Sequence, residues 1–138
     1  MRITETIEIP RPPAEVFERM LRPMAGPGPG WAGVAKGAEA DSYTAIAHVR
    51  SGPVRIDLDC AFRVYERVPG SAVDIAGQAS SPKLGSTYDV RLTVRPEGAG
   101  SAVDVDGRVD VSGTLAGFGQ RYARHELRRV LAQFLGGT

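Results

Sequence analysis

Ser112–Leu135 reads SGTLAGFGQRYARHELRRVLAQFL, and it is the one long stretch with helical periodicity. Leu115, Phe118, Tyr122, Leu127, Val130 and Phe134 recur at spacings of three, four or five residues. At about 100° per residue these side chains gather on one side. Arg121, Arg124 and Arg128 take the other. Ser112 or Thr114 can cap the first turn, accepting from backbone N–H groups that have no partner there. Gly136 and Gly137 follow the last apolar residue, where a left-handed residue ends a helix. The spacing predicts one helix roughly 30 Å long at about 1.5 Å per residue. Gly119 projects into its apolar side, at a cost of about 1 kcal/mol relative to alanine. Two explanations stay open: close packing against a strand, and room for a ligand.

Upstream of that helix the period changes from helical to alternating. Ser101–Val111 sets Val103, Val105, Gly107, Val109 and Val111 against Asp104, Asp106, Arg108 and Asp110. Gly85–Arg95 sets Tyr88, Val90, Leu92 and Val94 against Thr87, Asp89, Arg91 and Thr93. Val54–Glu66 is the clearest strand, with Val54, Ile56, Leu58, Cys60, Phe62 and Val64 on one side. Ser42–Arg50 alternates in the same way, Ser71–Gln78 is shorter, and Val34–Ala38 is short and weak. Ser51-Gly52-Pro53, Pro69-Gly70 and Pro96–Gly100 read as turns, and Ala79–Lys83 as a loop. Met24–Gly33 is irregular, and its lone Trp31 is either a plug over the core or part of a binding mouth. At the start, Arg2–Ile9 is a strand with Ile3, Ile7 and Ile9 on one side and Glu5 among them. Pro12 or Pro13 then opens a short helix over Ala14–Arg22, since a missing N–H costs nothing in the first turn.

Clean alternation means a sheet with one dry and one wet face, hence antiparallel. The expected fold class is α+β. A curved antiparallel sheet of about 6–7 strands wraps around a long C-terminal helix, with a short helical segment after the first strand. Residues 1–138 are expected to form a single domain. A curved sheet and a helix across its mouth need not meet everywhere, and any gap between them is an apolar cavity. Pockets of roughly 300–1,000 Å³ of that kind are ordinary ligand sites. Ala45, Ala47, Gly107 and Gly119 are small residues at inward positions, which suits either a void or tight packing.

Composition narrows the function classes. Lys+Arg total 17 and Asp+Glu total 16, a balance that does not favour nucleic acid. One cysteine, Cys60, excludes an intramolecular disulfide and leaves too few thiols for a zinc site. His48 and His125 are far apart and have no metal-ligand spacing, so no metal is expected and both read as surface histidines. Cys60 lies on the apolar side of its strand and reads as a buried, inert thiol. Gly117-Phe118-Gly119 lacks the strand context and spacing of a dinucleotide fingerprint. No apolar stretch approaches the ~18–20 residues of a membrane span, and no signal peptide is visible. The expectation is a cytoplasmic protein.

No nucleophile constellation emerges, so no catalytic residue is assigned and a non-enzyme is expected. The candidate ligand-binding positions come from the sheet and the helix. Trp31 is the possible mouth residue. Leu58, Tyr88 and Val90 point inward from strands, and Leu115, Phe118, Gly119 and Tyr122 from the helix. Glu126 falls on the inward side of the helical wheel. It either pairs with Arg129 at the surface or binds a ligand's carbonyl or hydroxyl with Tyr122 or Tyr88. Arg121, Arg124 and Arg128 with Arg129 form a basic face. Such a face is usually just solvated, but it suits contact with anionic lipid or a partner enzyme.

The order of elements resembles the helix-grip fold of the START-like, or SRPBCC, superfamily. Within it the chain looks like the CoxG-like family of carbon monoxide dehydrogenase proteins. The likeness rests on Ile9-Pro-Arg-Pro-Pro-Ala-Glu-Val-Phe17, on Ser51-Gly-Pro-Val54 opening a long strand, and above all on Ser112-Gly-Thr-Leu-Ala-Gly-Phe-Gly-Gln-Arg121 with Phe134 late in the helix. The family's proline-glycine segment is blurred here into Gly28-Pro29-Gly30-Trp31. Many members carry a further C-terminal segment linked to membrane attachment, whereas this sequence ends at Thr138. The resemblance implies a non-catalytic carrier of an apolar ligand, menaquinone or another quinone or isoprenoid lipid. It further implies a molybdenum hydroxylase-type oxidoreductase as partner and a peripheral position at the inner face of the membrane. The alternatives are a START-like enzyme such as a polyketide cyclase, and a docking adaptor with a filled core.

Overall fold

The structure is a computed structural model that describes residues 1–21, 31–36, 41–51 and 53–136. In chain order the elements are β1 (Arg2–Ile9), α1 (Pro13–Leu21), β2 (Trp31–Lys36), β3 (Ser42–Ser51), β4 (Val54–Val68), β5 (Ala72–Ser81), β6 (Leu84–Glu97), β7 (Gly100–Ser112), α2 (Ala116–His125) and α3 (Leu127–Phe134). The strands form one seven-stranded sheet in the order β1-β7-β6-β5-β4-β3-β2. Six strands follow one another as a meander. β1 returns to pair antiparallel with β7, from Arg2 opposite Arg108 to Ile9 opposite Ser101. The antiparallel sheet is the one expected from the period-2 alternation, and its wrapping around the C-terminal helices is the helix-grip arrangement that the resemblance implies.

The alternation decides which face is dry. In β4, Leu58, Phe62 and Val64 are buried while Arg55, Asp57, Arg63 and Tyr65 are exposed. On the outer face charged residues pair across strands: Asp74 accepts from Arg67 and Arg91, each at 3.1 Å. Asp104 accepts from Arg95 at 3.0 Å and Thr6 at 2.8 Å. On the inner face two glycines sit where a side chain would strike the neighbouring strand. A Cβ on Gly77 would lie 2.5 Å from the Ala61 carbonyl oxygen, and one on Gly107 would strike that of Asp89 as well as Val90. Of the two uses open to Gly107, tight packing is therefore the one realised, and it is packing against backbone.

The interior has two parts. The larger gathers Ile3, Ile7 and Ile9 of β1, Val16, Phe17 and Met20 of α1, the inward residues of the central strands and Leu135. α1 forms where proline opens it, with Pro13 as its first residue, and lays those three side chains on the sheet. The smaller gathers Val49, Leu58, Ala79, Leu84 and Phe118 at the other end.

Four expectations are corrected. The C-terminal helix is two helices, broken at Glu126 (φ −113°, ψ −22°). The bonding carries on around the break: Glu126 N–H donates to Tyr122 at 2.8 Å, and its carbonyl accepts from Val130 at 3.1 Å. α2 rests on β6 and β7 while α3 rests on β1, so the pair bends to follow a curved sheet. Neither Ser112 nor Thr114 caps α2. Ser112 ends β7, Leu115 is the N-cap, and no side chain bonds there. Instead the Lys83 carbonyl accepts from Leu115 N–H at 2.9 Å and Thr114 Oγ1 at 3.4 Å, tying the helix entry to the β5–β6 turn. Ala79–Ser81 belongs to β5 rather than to a loop, and Ser81 pairs with Leu84 across Pro82-Lys83. Trp31 opens β2 opposite Ala47, where an irregular segment was expected. The residues of that segment before Trp31, and the side chain of Trp31, lie outside the described residues. The C-terminal stop is as expected at Gly136, which takes a left-handed φ of 93°.

Candidate functional site

Between the two parts of the interior, beneath α2 and α3, lies a partly enclosed cavity of about 300 Å³. The sheet supplies its floor: Ala47 and Val49 from β3, Leu58, Cys60 and Phe62 from β4, Ile75 and Ala79 from β5, Leu84, Ser86, Tyr88, Val90 and Leu92 from β6, and Val109 and Val111 from β7. The helices supply its roof: Phe118, Gly119, Tyr122 and Ala123 before the break, Leu127, Val130, Leu131 and Phe134 after it. None of the eight residues of α3 is fully buried. Its apolar side both lines the cavity and packs against the larger part of the core, through Leu127, Leu131 and Phe134. Phe118 and Tyr122 stack at 6.5 Å and hold one end of the roof together.

Polar groups in this wall are few. Ser86 and Tyr88 alternate on the inner side of β6, and Tyr122 reaches in from α2. Among the described residues no hydrogen bond engages these three hydroxyls, and none of them is sealed away from solvent. The Cys60 thiol lies 3.6 Å from the Leu58 carbonyl. Burial pushes the Tyr88 phenol well above the ordinary tyrosine value, with a smaller push from Cys60. Burial also raises Tyr122, Glu126 adds to the rise, and Arg129 opposes it. Burial raises Cys60 as well, against a backbone hydrogen bond from Ala47 that lowers it, while Asp59 adds a smaller rise. A thiol held up in this way is a poor nucleophile. Among the described residues no carboxylate, lysine, arginine or histidine lines the cavity, and no group of three metal-ligating side chains comes together.

Residues 1–137 match the family described as polyketide cyclase / dehydrase and lipid transport. The chain belongs to this family. Solved structures share its fold. A conserved protein from Geobacillus kaustophilus superposes with a TM-score of 0.78 at 14% identity, covering 97% of this chain and 90% of that one. A START superfamily protein from Mycobacterium smegmatis gives 0.70 at 16% identity, covering 98% and 94%. A protein from Chromobacterium violaceum gives 0.66 at 15%, covering 98% and 95%. At such identities the likeness is one of fold. No curated protein sequence matches the chain. The family is thus broader than the CoxG-like group that the sequence resembles.

Within this polyketide cyclase and lipid transport fold, the expected site residues divide. Leu58, Tyr88, Val90, Phe118, Gly119 and Tyr122 meet in the cavity wall. Leu115 does not; it precedes α2 and packs against the smaller part of the core. Glu126 does not either. Its carboxylate accepts from Arg129 at 2.7 and 3.0 Å on the surface. Of the two uses open to Glu126, the surface pair with Arg129 is the one realised, and the ligand-binding position is not, since Glu126 sits at the helix break. Glu5, the one acid on the inward side of β1, accepts from Arg128 at 3.3 Å. Arg128 is therefore not a free member of the basic face. Sequence reasoning missed Ala79, Leu84, Ser86, Ala123 and Leu131. Ser86 shares the side of Tyr88 and Val90, so its parity was a signal. Ala123 follows Tyr122, and no spacing marks it. Among the described residues no helix is long and apolar enough to cross a membrane.

Proposed function

We propose that this protein is a non-catalytic carrier of an apolar small molecule, held between the sheet and the α2–α3 roof. The observation that carries this reading is the cavity of about 300 Å³ whose described wall is aliphatic and aromatic apart from three hydroxyls and a thiol. The lipid transport part of the family description supports it. A volume at the lower end of ordinary ligand pockets suits a ring-sized head group, with any long tail lying outside. A quinone or other isoprenoid lipid is the ligand we favour, and a carbon monoxide dehydrogenase-type oxidoreductase the partner. Both rest on the resemblance of Ser112–Arg121 to the CoxG-like family. Contact with an anionic membrane would fall to Arg121 and Arg124, at about 1 kcal/mol each near a charged surface.

The enzyme half of the family description keeps a second reading in view, a cyclase or dehydratase. Such chemistry wants an acid and a base near the working pH. The raised phenols of Tyr88 and Tyr122 suit hydrogen bonding better than proton abstraction. Organic extraction of the purified protein followed by mass spectrometry tests the carrier reading. The expected result is a stoichiometric apolar compound, with quinones the first candidates. An empty extract from protein that also fails to take up added quinone would refute the quinone carrier.

A further inference from the structure

We propose that the cavity selects an uncharged ligand whose polar end is a carbonyl, and discriminates against an anionic lipid of similar size. This rests on reading the cavity as a ligand site and goes on to say which chemistry it accepts. Ser86, Tyr88 and Tyr122 present hydroxyls to the cavity from the β6 floor and the α2 roof, and none has a partner among the described residues. These hydroxyls are open to the cavity rather than shut away without a partner, and a ligand oxygen accepting from one gains a hydrogen bond within an otherwise apolar wall. The wall beyond them, from Ile75 and Leu92 across to Leu131 and Phe134, offers only hydrocarbon. A ligand with one acceptor end and one apolar end matches both regions.

The charge of that end follows from where the cations are. Arg121, Arg124, Arg128 and Arg129 all lie on the exposed side of α2 and α3. Arg128 is bonded to Glu5 and Arg129 to Glu126. Among the described residues no basic side chain lines the cavity. A carboxylate drawn in would lose its water without gaining a counter-ion, which is far costlier than burying a ketone. Hydroxyl donors alone do not make up the difference.

The test uses three matched probes: 2-acetylnaphthalene, 2-ethylnaphthalene and 2-naphthoate, each titrated at pH 8 into the full chain and into Tyr88→Phe and Tyr122→Phe. The ketone should bind about fivefold tighter than the hydrocarbon, and naphthoate roughly tenfold or more weaker than the ketone. At least one phenylalanine variant should lose about fivefold for the ketone while leaving 2-ethylnaphthalene within about twofold. Naphthoate binding as tightly as the ketone would overturn the proposal. So would a ketone affinity that neither variant changes. If even 2-ethylnaphthalene fails to bind, the ligand site itself is lost and this inference with it.

Discussion

Burial holds the phenols of Tyr88 and Tyr122 protonated above the pH at which an ordinary tyrosine ionises. Each native pKa lies above its unfolded value. Their contribution to stability is therefore complete below the unfolded tyrosine value, and is lost as the pH rises through the native one. In an alkaline absorbance titration these two should ionise late, and Tyr88→Phe should remove amplitude from the most alkaline step. A Tyr88 that titrates with free tyrosine would mean that it does not sit in the dry wall. At this scale the sequence is readable where parity decides. Leu58, Tyr88 and Val90 follow from the alternation of β4 and β6, and Phe118 and Tyr122 from the helical spacing. It misleads at Glu126 and Leu115, which lie at the break of the helix and ahead of its first turn, where no wheel applies.

Among the elements, the helix break is the feature that no residue type announces. Sharp bends usually mark proline or glycine, and Glu126 is neither. The break falls between two resting surfaces, β6 and β7 under α2 and β1 under α3. The end of β5 is obscured for the opposite reason. Ser80-Ser81-Pro82-Lys83 carries strong turn chemistry, yet only Pro82-Lys83 turns. Gly119 is open in the sequence to packing or pocket, and in the fold it serves both. A Cβ there would lie 2.7 Å from Val111 Cγ1 and 2.9 Å from Leu84 Cδ1, while the residue also lines the cavity. Gly119→Leu should then destabilise the fold by about 1–3 kcal/mol and abolish ligand uptake together. Gly100→Ala, whose Cβ would meet the backbone of Ile9, Pro10 and Arg11 away from the cavity, should cost about 1–3 kcal/mol and leave affinity unchanged. Urea denaturation with parallel ligand titration separates them. A Gly119→Leu protein with normal affinity would remove α2 from the roof.

Across the whole molecule, the sheet and helices follow from two periods, one of two residues over most of the chain and one of about 3.6 at its end. Those periods say which side chains face inward. They do not say where the two layers part, because that depends on how the helix pair lies on the sheet, α2 on β6 and β7 and α3 on β1. The solved structures show that the fold recurs, and the proposed ligand class rests on the apolar wall of this chain's cavity. The most direct test is equilibrium titration with the neutral dye 1-N-phenylnaphthylamine, comparing the wild type with Ala47→Phe, which puts a ring into the floor. Saturable one-to-one binding is predicted for the wild type, and none for a variant that melts at the same temperature or higher. Equal binding by the two proteins would contradict the cavity as the ligand site, because the dye would then be held somewhere else.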